Sequence, residues 1–382
     1  MESLFWACLI LVAYVYVGYP TLAWFAARVK PRAWKRDEEY LPSLTLVISA
    51  HNEAGILPAK LENTLALDYP QERLQALVVS DGSDDATADI AEKSPRIEVH
   101  ETGERLGKSE SLNRAWPRVR GEVVAFSDAN VMYEGDALRK FVRNFSDPRV
   151  GCVCGELRYR DARTPSSRGE NLYWLYESRL REWEGRRGAL LSPNGTLFAV
   201  RRELFRPLSP RAANDFQTAE DVAEQGAWVV YDRDVRAWES SVGTHVEEFL
   251  RKARIIAGCA EVAFLRLGRM RPARTLRMLS HKILRWLVPV FLGGILSGSA
   301  ALAPARPEWA FVLGVQALFY GCALLGMLPG FRRVPFFYLP LYFVVVNAAS
   351  VVGLWRFATR TQKPAWESPR SNRADVTAQS HG

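Results

Sequence analysis

The chain has 382 residues, a net charge of +8, 48% hydrophobic residues and five cysteines. An odd cysteine count with no Cys-x-x-Cys spacing points away from a disulfide framework and from a zinc site built on cysteine pairs. The apolar residues are gathered into long uncharged blocks, which argues against a single soluble globule.

In chain order, the first block runs from Ser3 to Ala27, 25 residues without a charge, enough for a helix to span the roughly 30 Å hydrocarbon core of a bilayer. It lacks a basic leader and a small-residue cleavage site, so residues 1–30 read as a retained anchor and not as a signal peptide. Arg28, Lys30, Arg32, Lys35 and Arg36 follow, and the positive-inside rule then places the next domain in the cytoplasm. From residue 41 to 248 apolar strands alternate with amphipathic stretches, the pattern of an α/β domain with a largely parallel sheet. Strands are expected over 43–50, 74–80, 96–101 and 122–128, with helices over 56–67, 85–93 and 109–119, the second capped by Asp85. Ligands of such sheets sit at the carboxyl ends of the strands. There the chain places His51-Asn52-Glu53, Asp81-Gly82-Ser83, Gly107-Lys108 and Asp128-Ala129-Asn130. Neither GxGxxG nor GxxxxGK[ST] is present, so side chains supply the oxygen ligands, as a hard divalent cation and a diphosphate require.

Further on, Cys152 and Cys154 read as small buried side chains on one face of a strand. Residues 249–285 alternate basic and apolar side chains as in a helix lying on an anionic leaflet, so the positive charge is assigned to membrane lipids and not to nucleic acid. Trp286–Ala305, Trp309–Phe331 and Val334–Trp355 are uncharged and give about three membrane helices over 286–357. The expected location is the plasma (inner) membrane, multi-pass. An odd number of C-terminal crossings puts the polar tail, 358–382, outside; Arg356, Arg360, Lys363, Arg370 and Arg373 oppose this, so either the last stretch, broken by Pro335 and Pro340, does not cross fully or the later loops follow the upstream topology, and the side of the tail stays open.

The segments AHNEAGI, VSDGSDDAT, GERLGKSESLNRA and FSDAN, in this order, resemble the nucleotide-binding half of the membrane-bound family 2 glycosyltransferases, which have the GT-A fold, over roughly residues 43–260. The resemblance implies an inverting enzyme that moves a sugar from a nucleotide-diphospho-sugar to an acceptor hydroxyl. It implies that Ala50, Asn52 and Glu53 line the nucleoside site, that Asp81 contacts base or ribose, and that Lys108 and Asn113 belong to the donor site. Asp128 and Asn130 look like the family's DxD element, which holds Mg²⁺ or Mn²⁺ against the donor diphosphate. Ser49 and His51 replace a frequent Pro and aromatic, which leaves the base preference open.

The segment LLSPNGTLFAVRRELF resembles the loop and strand that close over donor sugar and acceptor; its Asn194-Gly195-Thr196 matches a glycosylation sequon but reads as a turn. An attacking hydroxyl needs a base. Asp221, in a Glu-Asp dipeptide, has the family's look, yet Asp215 stands 11 residues before Gly226, where the family's base falls. Asp215 is therefore assigned, with Asp221 in reserve and expected on a more exposed side of the helix. In VEEFLRKARIIAG, Arg254 matches the Arg of the processive QxxRW motif and is expected at the diphosphate, while Gln and Trp are replaced. That favours single additions to a lipid-linked or other glycan acceptor over a processive polysaccharide synthase; a non-catalytic scaffold is the third reading.

Overall fold

A computed structural model describes residues 1–159, 165–239, 245–328, 330–331 and 334–365. The end of the expected polar tail, with Arg370 and Arg373, lies outside the described residues. The chain divides into two compact units, one of residues 26–160, 181–242 and 363–382, the other of residues 1–25, 161–180 and 243–362.

The chain opens with a long helix, α1 (Glu2–Val29). The sheet unit then alternates strand and helix: β1 (Leu44–Ala50), α2 (Leu57–Leu65), β2 (Leu74–Ser80), α3 (Thr87–Glu92), β3 (Ile97–Glu101), α4 (Lys108–Ala115) and β4 (Val123–Asp128). The short β5 (Val131–Tyr133) and α5 (Ala137–Val142) follow, then β6 (Val150–Tyr159), α6 (Pro165–Gly185), β7 (Phe198–Arg201), α7 (Asn214–Glu224) and β8 (Trp228–Glu239). One eight-stranded sheet results, in the order β3-β2-β1-β4-β7-β6-β8-β5.

β1, β2, β3 and β4 pair in parallel, as the alternating pattern predicts. Beyond β4 the sheet is mixed, because β7 runs antiparallel to both β4 and β6, and β5 antiparallel to β8. Both faces are covered. Leu44, Leu46, Ile48 and Ala50 enter one apolar cluster, and Val47 joins Val79, Val124 and Phe126 in the other. Strands buried on both sides read as unbroken apolar runs, which is why they were legible. Cys152 and Cys154 are both buried in the second cluster. Register decides the position of the site: Ala50 lies opposite Ser80, and Ser49 opposite Asp128. The turns after β1, β2 and β4 therefore open at one sheet edge.

The other unit contains α8 (His245–Arg266), α9 (Pro272–Trp286), α10 (Val288–Leu302), α11 (Pro307–Leu325) and α12 (Pro335–Ala358). Among the described residues three helices, α1, α11 and α12, are long and apolar enough to cross a membrane, or four if α9 and α10, bent by 56°, count as one span. Pro289 at the start of α10 lacks the N–H that a continuous helix needs, which accounts for the bend. Gly294 and Gly298 let α10 lie close on α1, since a Cβ at 294 would sit 2.5 Å from the Cys8 sulfur and one at 298 would sit 3.1 Å from the Phe5 Cβ.

Candidate active site

The turn after β1 is laced to the turn after β2. His51 Nδ1 donates to the Asp81 carbonyl at 2.7 Å, Asn52 N–H donates to Ser83 Oγ at 3.2 Å, and the Asn52 amide oxygen accepts from Asp84 N–H at 2.8 Å. Asn52 has φ +52°, a left-handed conformation that asparagine tolerates because its short polar side chain bonds locally. Glu53 N–H donates to Thr87 Oγ1 at 2.8 Å, which fixes the start of α3 beside it. Ala50, Asn52 and Glu53 thus form one rigid rim.

Asp81 is buried. Its carboxylate accepts from Leu106 N–H at 2.7 Å, Gly107 N–H at 2.9 Å and Ser111 Oγ at 2.6 Å. Asp81 therefore shapes the turn into α4, and its Oδ2, with one strong donor, keeps a lone pair for a ligand. Gly107 sits at φ +91°, where a side chain would be strained. The next residue, Lys108, opens α4 and extends its ammonium to Asp128 Oδ1 at 2.5 Å and to the Gly195 carbonyl at 3.3 Å. Asn113, by contrast, is engaged twice with the main chain of Leu208, donating to its carbonyl and accepting from its N–H, both at 2.8 Å. It pins the segment leading to α7 and does not present an open amide to the donor side.

Asp128 ends β4 half-exposed. Asn130 follows, its amide donating to Glu239 Oε1 at 3.0 Å. That bond turns the Asn130 carbonyl oxygen away from Glu239. Beneath this turn Lys60 is fully buried, donates to the Val131 carbonyl at 2.5 Å, and lies 4.5 Å from the centre of the Tyr133 ring. Burial brings the Lys60 ammonium down to a pKa of about 7, and the negative charge of Asp128 opposes that fall. The Tyr133 hydroxyl donates to the Phe126 carbonyl at 2.7 Å and lies 3.3 Å from the Thr196 carbonyl, tying β4 to the 194–196 loop; its burial pushes its pKa up.

In that loop the Asn194 side chain accepts from Thr196 N–H at 3.2 Å, closing a tight turn. Asn194 N–H donates to Cys154 Sγ at 3.1 Å, and burial pushes that thiol up to about 11. Gly195 faces Asp215, because a Cβ on Gly195 would lie 3.2 Å from the Asp215 carboxyl carbon. Asp215 stands in the first turn of α7, half-exposed. Asp221 departs from expectation: it is 1% exposed, not more open than Asp215. Seven consecutive residues of α7, Phe216 to Val222, are buried, so the helix is enclosed all round and has no solvent stripe for Asp221 to occupy. Arg254 lies on α8 in the other unit.

Asp81, Gly107, Lys108, Asp128, Gly195 and Asp215 are thus linked by consecutive contacts at one sheet edge. Sequence reading missed Glu239 and Lys60. Lys60 left one signal: it shares a helical face with Leu57, Leu61 and Thr64, an apolar stripe where a lysine is out of place.

The model of Glycosyl transferase family 2 matches residues 45–208, the stretch that holds most of these contacts. This domain belongs to glycosyl transferase family 2. The family 2 domain has a relative in a probable glycosyltransferase, YdaM, of Bacillus subtilis (strain 168), 30% identical over 202 residues, which are 49% of this chain and 47% of that protein. A beta-monoglucosyldiacylglycerol synthase of Trichormus variabilis is 28% identical over 131 residues, 32% of this chain and 28% of the relative. The chain therefore spans about half, or less, of the length of these curated relatives. Among solved structures, the mannosyltransferase PcManGT from Pyrobaculum calidifontis, in complex with GDP-Man and Mn²⁺, matches with a TM-score of 0.72 at 24% identity, over 93% of this chain and 99% of that one. The family 2 domain thus has the GT-A fold.

Proposed function

We propose that the protein is a membrane-bound, inverting glycosyltransferase that takes a sugar from a nucleotide-diphospho-sugar in the presence of Mg²⁺ or Mn²⁺ and gives it to a hydroxyl on a lipid-linked glycan or glycolipid. One observation carries this reading: the Lys108 ammonium touches both Asp128 and the Gly195 carbonyl, and Gly195 faces Asp215, so a donor-side cation and the carboxylate of Asp215 lie on either side of one turn.

The residues fit a cation that arrives with its substrate. Among the described residues no three His, Cys, Asp or Glu side chains cluster as a ready metal cage. Asp128 and the Asn130 carbonyl offer two hard oxygens and leave the other positions to diphosphate and water, as is usual for such cations. The Lys108 ammonium resting on Asp128 shows that this carboxylate already draws positive charge. A divalent ion bound there supplies neutralisation of the departing nucleoside diphosphate. Ala50, Asn52, Glu53 and Asp81 line the nucleoside side of the pocket. Lys108 shifts from Asp128 toward the diphosphate, supplying charge where the leaving group develops it. Asp215, near the Gly195 turn, takes the proton of the attacking hydroxyl. A membrane acceptor is supported by the three apolar helices and by likeness to a glycolipid synthase.

Detergent-purified full-length protein should release UDP or GDP from one nucleotide-sugar with Mg²⁺ or Mn²⁺ and none in EDTA. Well-folded protein that turns over no nucleotide-sugar, with either metal and with membrane lipid extract as acceptor, would refute the proposal.

A further inference from the structure

Contacts inside the membrane unit order its helices by depth. Residues 294 and 298 of α10 lie against Cys8 and Phe5, and Trp309, at the start of α11, meets the Phe5 ring at 4.7 Å. Further along α1, Tyr14 bonds Ser280 at 2.8 Å and the Tyr16 ring lies 5.7 Å from that of Phe343. α10 therefore runs toward the N-terminal end of α1, and α11 returns. The far end of α1 continues into the sheet unit at residue 26. With α1 spanning the bilayer, α10 and α11 are one excursion to the opposite side and back. α12 then begins on the sheet unit's side, with a Cβ at Gly326 blocked by the Phe337 carbonyl at 2.6 Å and Phe343 5.7 Å from Phe319.

A full crossing by α12 would leave its C-terminus on the opposite side. Two observations oppose that. The C-terminal half of α12 lies along α8: Gly353 fits against the Ala253 carbonyl and Ile256, and Phe357 stacks on Phe264 at 5.3 Å. α8 carries Arg251, Lys252, Arg254 and Arg266 and follows directly on the sheet unit, so it belongs at the headgroup level and not in hydrocarbon. Secondly, residues 363–365 belong to the sheet unit, where an added Cβ on Gly107 would lie 2.5 Å from the Pro364 carbonyl oxygen and 3.0 Å from the Ala365 nitrogen. A segment that leaves and rejoins one side crosses an even number of times.

We propose that α12 is an interfacial, re-entrant helix and not a third C-terminal crossing, and that it delivers residues 363–365 onto the Gly107-Lys108 turn, where they form the outer wall of the donor pocket. The wall half of this inference rests on the donor reading above; the topological half does not. It accounts for the basic residues of the tail without exception to the positive-inside rule. It also gives Gly107 a second reason to be glycine, because any side chain would displace the returning segment.

The test is thiol labelling of the full chain. All five native cysteines are buried, so an Ala365→Cys variant and an Arg233→Cys control, on the exposed surface of the sheet unit, can be labelled with a membrane-impermeant maleimide in vesicles of both orientations. Both thiols should react in the same vesicle orientation, and UDP or GDP with Mn²⁺ should slow only the Ala365→Cys reaction, several-fold. Reaction of the two variants from opposite faces overturns the topology whether or not the protein binds nucleotide. Nucleotide that binds, by titration calorimetry, without slowing the Ala365→Cys reaction overturns the wall. Failure of both nucleotides to bind counts instead against the donor reading, and the orientation result still decides the crossing number.

Discussion

Replacing Lys60 with methionine should change stability in opposite directions at neutral and alkaline pH. Unfolded, this lysine titrates near 10.5; folded, burial lowers it to about 7. At pH 7.5, about three pH units below the unfolded pKa, the unfolded chain binds a proton that the folded chain largely lacks, which costs the folded state about 4 kcal/mol. Because the unfolded state binds more protons between pH 7 and 10.5, stability of the natural protein rises with pH across that window. Methionine removes this cost but leaves the Val131 carbonyl without its donor, a loss of about 1–3 kcal/mol. The net expectation at pH 7.5 is a gain of about 1–3 kcal/mol, or roughly 2–10 °C in the thermal midpoint of a domain this size. At pH 10.5 the charge cost shrinks to about 0.4 kcal/mol, so the lost hydrogen bond dominates and the variant melts below the natural protein. Differential scanning fluorimetry of the purified full chain at the two pH values reads both. Equal destabilisation at pH 7.5 and 10.5 would refute the reasoning, since it would mean that packing, and not charge, decides at this site.

Three further outcomes are expected. Asp215→Asn should lower transfer by about 10²- to 10⁴-fold, the usual contribution of a general base, with nucleotide-sugar affinity retained; if Asp221→Asn stops turnover and Asp215→Asn does not, the base is Asp221. Asp128→Ala should weaken donor binding in Mn²⁺ and have little effect in EDTA, as read by titration calorimetry. Asp81→Asn sets an amide N–H against the Gly107 N–H or leaves one of the two turn donors unpaired, a loss of about 1–3 kcal/mol; if borne entirely by the bound state, donor affinity should fall by roughly 5- to 150-fold. Unchanged affinity would show that the 106–108 turn holds its shape without that carboxylate.

The first four strands, their order of appearance, the polar turns at their carboxyl ends and the apolar blocks at both ends of the chain were determined by the sequence itself. Each depends on local physics: continuous apolar runs for β1, β2 and β4, which are covered on both faces, alternation for the partly exposed β3, turn residues where a strand stops, and uncharged lengths matched to a bilayer. The tertiary structure alone decided what the polar residues do with one another. Lys108 meets the Gly195 carbonyl 87 positions away, and Asn130 meets Glu239 109 positions away. No period or spacing encodes such pairs, because they form only when strands distant in sequence reach the same edge in register. The same reason explains Asp221, whose burial depends on everything packed around α7, and Lys60, whose environment is a strand that begins 71 positions later.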